Sequence, residues 1–157
     1  IAHLSNDRNF EIFRNRYLGY RQALLDNGIE FDESLVIETQ SNVQDGRRAA
    51  RLLLDMEAPP DAIFSSSDFA VLGAIQEIKE SGFNIPEDMC VVGFSNEPFT
   101  RFMELTTIST VDQFPLDMGR KAAQVFLEEV GHTEDVKTTQ NIVLTPELIV
   151  RRSSSKK

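Results

Sequence analysis

The stretch Asp61–Gln76, DAIFSSSDFAVLGAIQ, starts apolar, meets three serines and an aspartate, then turns apolar again at a different spacing. Ala62, Ile63 and Phe64 read as a short buried strand, and Val71, Ala74, Ile75 and Ile78 recur at helical spacing. Between them, Asp68 or a serine before it can cap the helix, because a side-chain oxygen there accepts a free backbone N–H of the first turn. A strand thus runs directly into a helix through a polar cluster. In open α/β sheets ligands bind at the carboxyl ends of strands. The plainer alternative is a helix that is merely well capped.

The same unit repeats on either side. IAHLS (1–5) reads as a strand, followed by a helix marked by Phe10, Phe13, Tyr17, Tyr20 and Leu24 that stops at Asn27-Gly28. LVIET (35–39) is the next strand, and Val43, Ala50, Leu53 and Leu54 mark a helix that ends before Pro59-Pro60. The third helix, 69–80, stops near Ser81-Gly82, and MCVVGF (89–94) is a fourth strand. This alternation predicts an α/β fold: a parallel sheet, right-handed crossovers and helices on both faces. The strands are largely apolar, as sheets covered on both sides require. Beyond Phe94 the pattern changes. A long irregular loop leads to an extended ISTVDQ (108–113) and then to a long helix. That helix has Pro115 in its first turn and Met118, Ala122, Val125 and Phe126 on its expected inner face. NIVLT and ELIVRRS, separated by Pro146, read as two short closing strands.

The chain has 157 residues, 41% of them apolar and 26% charged, which suits one globular domain with a sizeable core. No stretch approaches the roughly 20 apolar residues of a membrane helix, so no membrane partner is expected. The sequence opens on a strand without an initiating Met or a basic n-region, which reads as a fragment of a longer chain. The net charge of −9 argues against direct grip on nucleic-acid phosphates. Arg151-Arg152 and Lys156-Lys157 form the main basic exception, expected as a solvated, frayed terminus. Cys90 is the single cysteine, so no internal disulfide forms, in keeping with a reducing, cytoplasmic compartment; within an apolar strand it reads as a buried, inert thiol.

Four strand ends carry polar groups: Ser5-Asn6-Asp7, Gln40-Ser41-Asn42, Ser65-Ser66-Ser67-Asp68 and Ser95-Asn96-Glu97. A parallel sheet gathers them along one edge, the expected ligand crevice. Hydroxyls and amides both donate and accept hydrogen bonds, which suits a neutral, polyhydroxylated ligand. On the first helix, Arg14 is expected in solvent. Arg16 borders the apolar seam of Tyr17 and Tyr20, and its head either stays in solvent or reaches the crevice. Catalytic signals are weak. GFSNE (93–97) departs from the G-x-S-x-G elbow at Glu97, and His3 and His132 are poorly placed as a base. The glycines are scattered and there is no metal-ligand cluster, so no enzyme activity, cofactor or metal is expected.

RYLGYRQAL (16–24), the run from Asp61 to Pro98, LTTISTVDQFPLDMGRKAA (105–123) and ELIVRRSS (147–154) follow one another in a familiar order and spacing. Together they resemble the C-terminal part of the lactose-repressor (LacI/GalR) family of bacterial transcription regulators, itself similar to periplasmic sugar-binding proteins. The resemblance covers nearly the whole chain. It implies a periplasmic-binding-protein-like lobe, one of two that enclose an effector cleft. A helix-turn-helix headpiece, absent here, would bind operator DNA. Residues 1–111 and 138–157 would form the C-terminal lobe, and 112–137 the segment that crosses into the other lobe.

Carried over by position, Arg16 matches the family's effector-contacting arginine and Gln113 a cleft glutamine. Ser67, before Asp68, stands where an asparagine is usual, Ser95 where an aspartate is usual, and Ser41 near a position often held by an aromatic ring. Ser95 removes a carboxylate that would grip sugar hydroxyls, and Asn96 can assume part of that role. The resemblance further implies a small effector, a sugar in kind. It also implies a homodimer whose surface includes the helix at 69–80 and the loop at 98–104, with Phe99, Phe102 and Met103 either forming that surface or packing onto the lobe. A stand-alone sugar-binding protein serving a transporter is the alternative reading.

Overall fold

The elements run β1 (Ala2–Ser5), α1 (Glu11–Asp26), β2 (Val36–Glu38), α2 (Val43–Leu54), β3 (Ala62–Ser65), α3 (Asp68–Glu80), β4 (Cys90–Phe94), β5 (Ser109–Asp112), α4 (Pro115–Gly131) and β6 (Glu147–Ile149) in a computed structural model that describes residues 1–102, 106–131 and 141–156. Met103 and His132 lie outside the described residues. Local chemistry sets several boundaries. Ser67 caps α3, its Oγ accepting from Phe69 N at 3.2 Å, and Asn42 caps α2 by accepting from Asp45 N. Gly28 ends α1 at a φ of 66°.

The strands form one sheet ordered β2-β1-β3-β4-β5-β6, parallel except for the β5–β6 pair. The parallel sheet expected from the strand–helix alternation is present from β2 through β5, and one edge strand runs the other way. β6 returns along β5 in the opposite direction, pairing Thr110 with Ile149, and an antiparallel edge needs no crossover in this sheet. NIVLT does not form a strand; only residues 147–149 of the closing segment pair.

Alternate residues of each strand face two different layers. Ala2, Leu4, Ile63 and Val91 are fully buried against Ala49, Ala50 and Leu53 of α2 and Ala70, Val71, Ala74 and Ile78 of α3. On the other face Tyr17, Tyr20 and Leu24 of α1 cover β1 and β2, reaching Val36 and Phe64. Beyond them the sheet is open. Phe64, Val92 and Phe94 are half-buried, and a groove of about 640 Å³ runs along Phe64 and Phe94 beside Gly19, Tyr20 and Ala23 of α1. Cys90, also on the open side, is half-buried rather than buried.

α4 departs from expectation in the same sense. Met118 and Phe126, read as its inner face, are 51% and 65% exposed. The helical period is real, but no other described element of this chain covers the stripe; it borders a hollow lined also by Phe94, Gln113, Ile142, Leu144 and Pro146.

His3 is fully buried in β1, stacked between the rings of Tyr20 and Phe64, with Nδ1–H donating to Phe64 O at 3.1 Å. Burial lowers its pKa from 6.5 to about 4. Between those values the unfolded chain holds a proton that the folded one does not. Stability is therefore full above the unfolded value, falls with pH through this window and levels off below about 4. The total loss from this group is about 3 kcal/mol. Urea unfolding from pH 7 to 4 should show that slope, and His3→Phe should remove it; an unchanged slope would assign it elsewhere.

Candidate functional site

The carboxyl ends of the parallel strands bring most of the sequence-selected residues to one rim. Arg16 leaves α1 one turn before Tyr20, so its stem follows the sheet face and its head arrives beyond β3. There it donates to Ser66 O at 2.8 Å and to Gln113 Oε1 at 3.3 Å, and lies 3.7 Å over the Phe94 ring. Burial lowers its pKa, opposed by the Asp68 carboxylate. Of the two environments open to Arg16, the crevice is the one observed, and Arg14 is exposed.

A second cluster joins β1, β2 and β3. Asn6 Nδ2 donates to Ser41 Oγ at 2.5 Å, and Ser67 Oγ approaches Ser41 O at 3.5 Å. Ser67 thus acts both as helix cap and as a wall of the rim. Asp68 is placed differently from its neighbours. Its carboxylate is buried, accepts from Thr110 Oγ1 and from Glu97 N at 2.8 and 2.9 Å, and has a pKa raised by that burial. A Cβ on Gly93 would stand 2.0 Å from its Oδ1, so the missing side chain at 93 makes room for this carboxylate. Asp68 therefore braces the loop after β4.

Ser95 and Asn96 occupy that loop in the left-handed region, with φ of 120° and 53°. Ser41 and Phe114 share that region at 54° and 53°. Four non-glycine residues in a rare conformation thus fall at the ends of β2, β4 and β5, as happens where a site constrains its backbone. Ser95 is half-buried. Asn96 is nearly buried, with its amide engaged by Asp112 and Arg151.

Sequence reasoning missed Phe94, Asp112, Phe114 and Arg151. Phe94 carried no signal beyond strand apolarity. The expectation of a frayed basic end is corrected at Arg151. Its guanidinium donates to Ile108 O, Thr100 Oγ1 and Asn96 Oδ1 at 2.7, 3.0 and 2.7 Å, and Ser153 behind it is buried. Phe99 packs half-buried against the core and Phe69, whereas Phe102 is 79% exposed. Among the described residues no group of three or more His, Cys, Asp or Glu is placed to hold a metal, and no helix is long and apolar enough to cross a membrane.

A rim of hydroxyls, amides and one fixed guanidinium fork can orient a small, oxygen-rich neutral molecule; it offers no paired nucleophile and base. Known proteins carry the same framework. The sequence profile of the periplasmic binding protein-like domain matches residues 1–154. The chain is 32% identical over 154 residues to the HTH-type transcriptional repressor PurR of Haemophilus influenzae, covering 98% of this chain and 46% of that protein. Among solved structures, the transcriptional regulator CelR in complex with cellobiose superposes with a TM-score of 0.87 at 32% identity, over 98% of this chain and 46% of that one. A regulatory protein of the LacI family from Chloroflexus aggregans superposes at 0.89 with 26% identity, over 98% and 54%. The chain spans about half the length of the curated relatives it matches.

Proposed function

The chain belongs to the periplasmic binding protein-like domain family, with LacI-family transcription regulators as its relatives, and on that premise we propose that it is one lobe of the effector-binding core of such a regulator. The observation that carries this is the rim: Arg16, anchored on Ser66, Gln113 and Phe94, beside the Asn6–Ser41–Ser67 cluster. The effector is a small sugar-like molecule, bound against Arg16, Ser41, Ser67, Ser95 and Gln113. Asp68 and Asn96 serve the site by holding the loop after β4. The cellobiose bound by CelR is a sugar of this kind, which supports the ligand class.

The other wall of the cleft belongs to a second lobe. Residues 112–137 cross into it, and the chain returns for 138–157. The uncovered stripe of α4 and the open sheet face beside Phe94 support this division. The complete protein acts as a cytoplasmic homodimer that contacts operator DNA through a headpiece outside this chain. Exposed Phe69 and Phe102 suit the dimer surface. Effector binding changes lobe closure, and it regulates only by its differential affinity for the two lobe arrangements. The named relatives are regulators, which favours this role over transport.

A thermal-shift screen of the complete protein against sugars and nucleobases tests the assignment. A sugar should stabilise it, whereas this chain alone, with half a cleft, should give no tight complex by calorimetry. Tight binding by the isolated chain, or a complete protein that responds to no polyhydroxylated compound, would refute it.

A further inference from the structure

One side chain bridges the two strands at which the chain leaves and re-enters this lobe. Asn96 Nδ2 donates to Asp112 Oδ2 at 2.7 Å, at the outgoing end of β5. Its Oδ1 accepts from Arg151 Nη2 at 2.7 Å, just past the end of β6. Each partner is fixed in turn. Asp112 Oδ1 accepts from Phe114 N at 2.7 Å, where φ is 53° and α4 is about to begin. Arg151 also donates to Ile108 O at the start of β5. The Asn96 backbone N–H is held by Thr110 Oγ1 at 3.2 Å, and Thr110 itself bonds to Asp68. Asn96 is 9% exposed. A neutral amide donates to a carboxylate through its nitrogen and accepts from a guanidinium through its oxygen, whereas an ionised carboxylate at the same place could only accept.

We propose that Asn96 is a positioning residue that clamps the outgoing and returning strands together and so sets the resting angle between this lobe and the next. It follows Ser95 directly on the rim, so a molecule that shifts Ser95 moves the clamp. This inference rests on the reading that β5 and β6 lead to and from a second lobe. Asn96 here is a mechanical element of the site, distinct from the groups that touch the effector.

The test uses the complete protein with its cysteines replaced, carrying spin labels at Gln44→Cys and Gln124→Cys. Both positions are exposed, one on α2 and one on the polar face of α4. The distance between labels is read without effector or operator, so a protein that proves unresponsive to sugars counts against the proposed function and leaves the clamp result readable. Asn96→Asp places two carboxylates in contact and should shift and broaden the distance distribution. Combining Asn96→Asp with Asp112→Asn exchanges the two side chains and restores every bond. The new amide at position 112 donates to the new carboxylate at position 96, and that carboxylate still accepts from Arg151. The double variant should return the distribution to the wild-type one. An unchanged distribution in Asn96→Asp, or a double variant as broad as the single, would overturn the proposal. Should Asn96→Asp fail to fold, the double variant decides: a folded protein with the wild-type distribution supports the clamp, and a misfolded or broadened one removes it.

Discussion

Gly73→Ala is expected to destabilise the chain by about 3 kcal/mol, near the upper end of ordinary core overpacking. A Cβ at this position would lie 1.9 Å from Val43 O and 2.9 Å from Arg47 N, backbone atoms that cannot rotate away. Gly46 makes the reciprocal approach, with Ala70 O 2.0 Å from where its Cβ would stand. The crossing of α2 and α3 is therefore set by two glycines, and the flanking Ala49, Ala50, Ala70 and Ala74 keep it narrow. Glu77 locks its edge by pairing with Arg47 and Arg51 at 3.2 and 2.5 Å. Inserting a methyl group forces the helices apart and loosens the layer beneath β3 and β4. Gly19→Ala is the control, because no atom lies within 4 Å of its would-be Cβ. It should gain up to about 1 kcal/mol from helix propensity. Equal midpoints for the two variants in urea would show that the crossing is looser than described.

Arg16→Ala in the complete protein should weaken effector binding by about 100-fold, the equivalent of one or two lost charge-assisted hydrogen bonds of about 1.5–3 kcal/mol each. Two of its donors hold Ser66 and Gln113, and among the described residues no other acceptor engages the fork, which leaves further N–H groups to reach a ligand. Its stacking on Phe94 fixes the plane of that fork. Lysine offers a point charge on a flexible stem and should not rescue. Operator affinity without effector should stay within a few-fold of wild type, since Arg16 lies on the rim of the sheet. Binding unchanged in the variant would remove Arg16 from the site.

Much of this was legible in the residues themselves. The β–α units up to Phe94 show because each buries its own stripe within this chain, as Tyr17, Tyr20 and Leu24 do, or Val71, Ala74 and Ile78. Ser67 was readable as a cap because capping is local. Where the reading failed, the missing information was tertiary. α4 has the period of a half-buried helix, yet no other described element covers its stripe. Arg151 looks like part of a basic tail until the fold brings it to Asn96, far away in sequence. Phe94 gained a role only through the reach of Arg16. Asp68 is held by Thr110 and Glu97, a pairing that no local pattern announces.

Effector should meet the complete protein at the strand ends of this lobe, and hydrogen exchange with and without the stabilising sugar measures that directly. Slowed exchange should be confined, within this chain, to residues 5–8, 39–42, 66–68, 94–97 and 112–114. Protection on α2 or α3 with those segments unchanged would place the binding site elsewhere.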